Sequence, residues 1–183
     1  MSGINRDGTL KKYPTPQPKS PLAIAAATND LATLSSSELK PYLWEIDEFG
    51  NTPLIWAADR GNLEALKYIL SQYERSVHGI NTRGFLGNTA LSRACRGGHC
   101  SCVKFLLEQR GGGLVINPNI CNEKLQYPLH FAAFKQHAEV VKALLDSGLC
   151  NTLVRDRKGR TPAEDTSVEE IRNMILEYRA ETL

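Results

Sequence analysis

Gly50-Asn-Thr-Pro-Leu-Ile-Trp-Ala-Ala-Asp-Arg-Gly61 recurs as Gly87-Asn-Thr-Ala-Leu-Ser-Arg-Ala-Cys-Arg-Gly-Gly98 and again as Leu125-Gln-Tyr-Pro-Leu-His-Phe-Ala-Ala-Phe-Lys-Gln136. A fragment of it returns at Gly159-Arg-Thr-Pro-Ala163, and a reduced copy, Pro21-Leu-Ala-Ile-Ala-Ala-Ala-Thr28, precedes them all. The Pro/Ala positions 21, 53, 90, 128 and 162 are separated by 32, 37, 38 and 34 residues. Periods in this range mark stacked supersecondary units. Such a stack offers a surface for holding another molecule rather than a pocket for chemistry.

Each copy reads as a helical pair. Thr52 suits an N-cap, because its hydroxyl can accept an otherwise orphan N–H, and Pro53 suits the first helical position, where no N–H is needed. Leu54, Ala57 and Ala58 then form one apolar stripe at i, i+3, i+4. Gly61 supplies a left-handed stop, and Leu63, Leu66, Ile69 and Leu70 continue as a second helix. The same places hold Leu91, Ala94, Cys95 and then Val103, Leu106, Leu107 in the next copy, and Leu129, Ala132, Ala133 and then Val140, Val141, Leu144, Leu145 in the one after. The small paired residues let consecutive helices approach closely, and no unit can bury its apolar face without a neighbour.

These residues resemble the ankyrin repeat. Thr52-Pro53-Leu54, Pro128-Leu129-His130, Ala132-Ala133, Gly98-His99 and Glu139-Val140-Val141…Leu144-Leu145 carry the likeness, which covers about residues 21–183. The resemblance implies an all-α solenoid of helix–turn–helix units with β-hairpin fingers between them, in units near 21–49, 50–86, 87–124, 125–158 and 159–183. Leu125 and Tyr127 depart from the Gly and Thr of the pattern. The links after the first two full units exceed the family period, so enlarged loops or lengthened second helices are expected near 71–85 and 108–122. The last unit is short by about a helical turn, as befits a terminal cap. Its closing helix, around Val168–Tyr178, should carry Glu169, Glu170, Arg172 and Glu177 on a solvated face.

The proline-punctuated stretch before Pro21 cannot bury enough surface to fold alone, so residues 1–20 read as a disordered leader. The other readings are a short polyproline II ligand or a segment that packs back on the first repeat. Four basic residues against one acidic give this leader +3, while the remaining 18 basic and 19 acidic residues leave the body at −1. A near-neutral body argues against nucleic acid as partner. No apolar run approaches the ~20 residues that span a bilayer, and no signal-peptide core is visible. The expectation is a monomer in the cytoplasm, open also to the nucleus, with reduced cysteines and no membrane partner.

The sharpest candidate for chemistry is Cys95…His99-Cys100-Ser-Cys102, whose ligands would attract zinc if they converged. The repeat register places Cys95, Cys100 and Cys102 at packing positions instead, where free cysteine acts as a small hydrophobe. His130 reads as a structural residue bonding locally near its helix start. No nucleophile elbow, Walker loop, dinucleotide fingerprint or H-E-x-x-H is present, so neither enzyme activity nor a cofactor is expected.

Helix geometry instead selects a ridge on the side of the first helices away from the core stripe: Trp56, Asp59, Arg60, Arg93, Arg96, Phe131, Phe134 and Lys135, with Phe49 and Phe85 at the fingers. By resemblance this face lines the concave groove that meets another protein. Aromatic and arginine side chains are enriched at interface hot spots, although Trp56 and Phe131 could equally close the stack. Fingertips add Asp47 and Glu48 at one end and Arg155, Arg157, Lys158 and Arg160 at the other, a polarity that would orient a charged partner. The function expected is protein–protein recognition as an adaptor or scaffold. The alternatives are a stoichiometric inhibitor or assembly chaperone of one enzyme or complex and, as the remotest, a metal protein or enzyme centred on the cysteines.

Overall fold

The structure is a computed structural model that describes residues 16–72, 79–111 and 114–181. A threonine or serine opens the first helix of every unit but the third full one, where Tyr127 stands at that place. Ser20 Oγ accepts the Ala23 N–H at 3.1 Å, Thr52 Oγ1 that of Ile55 at 3.3 Å and Thr89 Oγ1 that of Ser92 at 3.2 Å. The helices that follow are α1 (Pro21–Thr28), α2 (Leu31–Leu34), α3 (Pro53–Arg60), α4 (Leu63–Ser71), α5 (Ala90–Gly97), α6 (Cys100–Leu107), α7 (Pro128–Phe134), α8 (Ala138–Asp146), α9 (Pro162–Asp165) and α10 (Glu169–Glu181).

Odd-numbered helices pack on odd-numbered neighbours and even on even, so the molecule is two helical layers. Leu54, Leu91 and Leu129 and the pairs Ala57–Ala58, Ala94–Cys95 and Ala132–Ala133 are buried between the layers, facing Leu66, Ile69, Val103, Leu106, Val141 and Leu144. Each fully buried Leu or Ile contributes roughly 1.5–3 kcal/mol, and most of that depends on the adjacent unit being in place. No helix among the described residues is long and apolar enough to cross a membrane.

The connection inside each unit shows the stacking at atomic level. Asn62, His99 and His137 occupy one register position and reach back to the previous unit's first helix. Asn62 Nδ2 donates to Ala26 O (2.8 Å), His99 Nε2 bonds Asp59 O (3.1 Å) and His137 Nε2 bonds Arg96 O (3.3 Å). Gly61 just ahead adopts φ +73°, and a Cβ there would collide with the His99 ring. In the third full unit Gln136 takes the left-handed position at φ +61°. The register position that would hold the next histidine is Ser167, whose Oγ accepts from Gln136 Nε2 at 3.1 Å. Without a histidine ring behind it, a side chain fits.

The fingers differ from the hairpins expected. They are tight hydrogen-bonded turns, closed by Asp47 N–H to Asn51 O, Gly84 N–H to Asn88 O, Asn122 N–H to Gln126 O and Asp156 N–H to Arg160 O, each at 2.9 Å. That is too few bonds for a ladder. Among the described residues the only strand pair is β1 (Arg110–Gly111) with β2 (Leu114–Val115), which lies in the second enlarged link. The second helices are 8 and 9 residues long at α6 and α4, against 9 at α8, so these helices are not lengthened, and residues 73–78 and 112–113 of the two links lie outside the described residues.

In the last unit the lost turn belongs to α9, with 4 residues, while α10 is the longest helix at 13. Glu169, Glu170, Arg172 and Glu177 are exposed on it. Of the leader, residues 1–15 lie outside the described residues. Pro16 is buried, Lys19 pairs with Glu48, and Ser20 is the cap of α1.

Candidate functional site

The ridge proposed on the first helices divides under the structure into residues inside the stack and residues facing out. Trp56 is 3% exposed, and its Nε1–H donates to Asp47 Oδ2 at 2.8 Å. Arg93 is 9% exposed and lies 3.4 Å from Asp59 Oδ1. Burial lowers the Arg93 guanidinium pKa, with Asp59 opposing it. Both assignments to an open partner surface are therefore corrected: these side chains join units together. Trp56 is walled in because α3 is flanked by α1 on one side and α5 on the other while the finger folds back over it.

Phe49 and Phe85 are half-buried against each other, their rings 5.9 Å apart and edge to face, bridging two successive fingers. Asp59 and Phe131 are half-buried. Arg60, Arg96, Phe134 and Lys135 are exposed, and Ile24 on α1 joins them at 45%. Phe134 stands out at 54%. The short α9 explains this, since the neighbour of α7 is about half the length of its counterparts.

The fingers are held by a device that recurs in the sequence but was not recognised there. Asp47, Asn122 and Asp156 each lie three residues before the left-handed finger residue. Asp47 Oδ1 accepts from Phe49 N–H and Asn51 N–H, Asn122 Oδ1 from Lys124 and Gln126, and Asp156 Oδ1 from Lys158 and Arg160, all at 2.8–2.9 Å. A carboxylate or amide satisfying two backbone donors fixes a turn locally. The repeated D/N-x-x-G/L spacing was the available signal. Gly84 breaks it in the second finger, where Asn51 Oδ1 accepts the Phe85 N–H at 3.0 Å instead.

Successive fingers are also tied to each other. Glu123 N–H donates to Leu86 O at 3.0 Å and Arg157 N–H to Lys124 O at 3.1 Å, while Arg157 Nη2 donates to Glu123 O at 2.7 Å. At the last finger Arg160 sits between two carboxylates, 2.8 Å from Asp156 Oδ2 and 2.7 Å from Asp165 Oδ1. Burial alone would raise the Asp156 carboxyl, but hydrogen bonds from Arg160 and two backbone amides hold it below the ordinary range. Asp165 has a fully buried side chain without well-aligned donors, and burial pushes its pKa up against the pull of Arg160.

His130 is structural. Its Nε2 lies 2.9 Å from Arg160 O, which can only accept, so the hydrogen-bond pattern assigns the proton to Nε2 and leaves Nδ1 to accept the Tyr127 N–H at 3.4 Å. Burial of the neutral ring lowers its pKa. Cys95, Cys100, Cys102 and Cys150 are thiols packed in or against the core. Burial raises Cys95 well above its ordinary value, Cys102 to about 11 and Cys150 to about 12, which disfavours the thiolate that nucleophilic attack or zinc binding requires. Among the described residues no three His, Cys, Asp or Glu side chains converge as metal ligands would.

A family model described as "Ankyrin repeats (3 copies)" matches residues 22–117, and one described as "Ankyrin repeat" matches residues 125–157. Similar curated proteins include the probable E3 ubiquitin-protein ligase XBOS32 of Oryza sativa subsp. japonica, 33% identical over 132 residues, which are 68% of this chain and 24% of that protein. The E3 ubiquitin-protein ligase XBAT33 of Arabidopsis thaliana is 33% identical over 116 residues, 59% of this chain and 20% of the ligase. The transient receptor potential cation channel subfamily A member 1 of Homo sapiens is 30% identical over 136 residues, 58% of this chain and 12% of the channel. The chain thus spans a quarter or less of the length of these relatives.

Proposed function

The chain belongs to the ankyrin-repeat family, whose repeats are protein–protein interaction modules, and on that premise we propose that it works without catalysis as an adaptor or scaffold, in the cytoplasm, gripping another protein along its first-helix face and fingers. The observation that carries this reading is the contrast between the two layers. The second helices of the three full units expose ordinary solvated residues such as Glu64, Lys67, Ser101, Lys104, Glu139 and Lys142. The first helices expose Arg60, Arg96 and Phe134, arginine and aromatic types that are enriched at interfaces, beside the apolar Ile24.

Ligases and a channel share this similarity, and the chain covers only a small part of each. Their common ground is the repeat, so a recognition role is the property to carry over, and ligation or conduction is not. Four to five stacked units offer on the order of 800 Å² to a partner, a standard specific interface.

Affinity capture with quantitative mass spectrometry tests the assignment. Arg60→Ala with Arg96→Ala should deplete captured partners, whereas Lys67→Ala with Lys104→Ala on the opposite layer should not. Loss on the second-helix variant with retention on the first would reverse it. An adaptor also holds two proteins at once. If every captured protein competes with every other for one face, the single-target inhibitor or chaperone reading replaces it.

A further inference from the structure

The truncated end of the stack brings together an uncovered aromatic ring and unpaired positive charge. Phe134, Lys124, Gln126, Arg157 and Lys158 line one groove of about 390 Å³ between α7 and the last two fingers, with Lys135 Nζ 5.8 Å from the centre of the Phe134 ring. None of Lys124, Lys135, Arg157 and Lys158 forms an ion pair with a described residue, whereas the one cation of the groove that does, Arg160, is committed to Asp156 and Asp165. Of the residues lining the groove, one carboxylate, Asp156, stands against Lys124, Arg157, Lys158 and Arg160, so the groove is net positive.

The finger backbone that carries Lys124, Arg157 and Lys158 is also held in place. The two fingers share the Arg157–Lys124 backbone bond and the Arg157–Glu123 bond, and each finger is locked by its own Asn122 or Asp156. Preorganised charges bind with less loss of conformational freedom than charges on a loose loop. Phe134 lies on the unit before the last, at the side where the four-residue α9 leaves it uncovered.

Resting on the recognition function proposed above, we infer that this groove docks an acidic linear segment of the partner protein, with an apolar side chain seated on Phe134 and carboxylates meeting Lys124, Arg157 and Lys158. The groove at the opposite end of the stack, lined by Tyr42, Glu45, Ile46 and Asp47, has the reverse charge. An acidic segment is repelled there, which gives the bound chain one direction.

The test is fluorescence anisotropy on the full chain with a short labelled peptide that alternates Glu or Asp with Leu and Phe. Its Gln/Asn counterpart, a Lys counterpart and a single-stranded oligonucleotide of matched charge serve as comparison probes. The acidic peptide should bind, weaken about tenfold with Lys124→Glu plus Lys158→Glu, weaken about fivefold or more with Phe134→Ala, and lose affinity as salt is raised. Tyr42→Ala plus Ile46→Ala, at the other end, should leave it unchanged. All these positions are exposed, and unchanged helicity verifies that each variant is folded.

No binding, binding indifferent to the charge reversals, or tighter binding of the oligonucleotide than of the peptide overturns the inference. The recognition function is judged separately by Arg60→Ala with Arg96→Ala in the capture experiment. A failed peptide with intact capture therefore removes the acidic-segment assignment alone.

Discussion

Replacing Gly61 by alanine and Gln136 by glycine should move stability in opposite directions, although both residues hold the same place in their units. At Gly61 the backbone is left-handed at φ +73°, which costs a residue with a Cβ about 1–2 kcal/mol. The new methyl would also occupy the space of the His99 ring, which must then rotate away from Asp59 O and give up a bond between units of about 1 kcal/mol. The expected loss is about 2–3 kcal/mol. At Gln136 the same conformation is borne by an exposed side chain that bonds Ser167. Glycine relieves the strain but adds unfolded-state entropy of about 0.5–1 kcal/mol, so the net gain is about 0.5–1 kcal/mol. Equilibrium urea unfolding reads both. The decisive measurement is a double-mutant cycle: in a His99→Ser background Gly61→Ala should cost only the conformational part, leaving a coupling of about 1 kcal/mol. Additivity within about 0.3–0.5 kcal/mol would refute the idea that the histidine ring dictates glycine at this turn.

Trp56→Ala should destabilise the protein by about 3–5 kcal/mol, since it empties a buried site between units. Trp56→Phe should cost nearer 1 kcal/mol by leaving Asp47 Oδ2 without its donor. Thermal denaturation checks both, and a fully stable Trp56→Ala would return this residue to the partner surface. His130 makes stability pH-dependent with a definite sign. Its folded pKa lies below the ordinary value of about 6.5 because burial favours the neutral ring. The unfolded chain therefore takes up the proton first, so stability is complete above about pH 6.5 and falls as the pH drops through that value. His130→Gln should flatten this part of the urea-midpoint profile, and an unchanged slope would place the titration elsewhere.

Much of the architecture was readable from recurring residues. The cap–proline–leucine–alanine–alanine string specifies where each first helix starts and which stripe it buries, because these depend on neighbours three and four residues away. The shortened last unit was visible from the spacing of Pro162 and Ile171, and His130 was legible as structural from its place at a helix start. The turn-fixing set Asp47, Asn122 and Asp156 was equally available as a repeated spacing, although it went unread. The finger shape was not legible, because a turn closed by one or two hydrogen bonds and a true hairpin share the same glycine.

By itself, then, the sequence determined the repeat, the helices and the face each turns to its own unit, since all of these are local or periodic. Tertiary structure alone decided which residues on the far side stay open. Trp56, Arg93 and Phe131 share one register position, yet the first two are buried and the third is half-buried. Trp56 and Arg93 are covered by full neighbours and by a finger or an ion pair. The α7 side chains face an α9 of four residues, which leaves Phe134 uncovered beside the basic fingers. In a stack, burial at a position is completed by the adjacent units, and helical periodicity within one unit carries no information about how much of its neighbour is there.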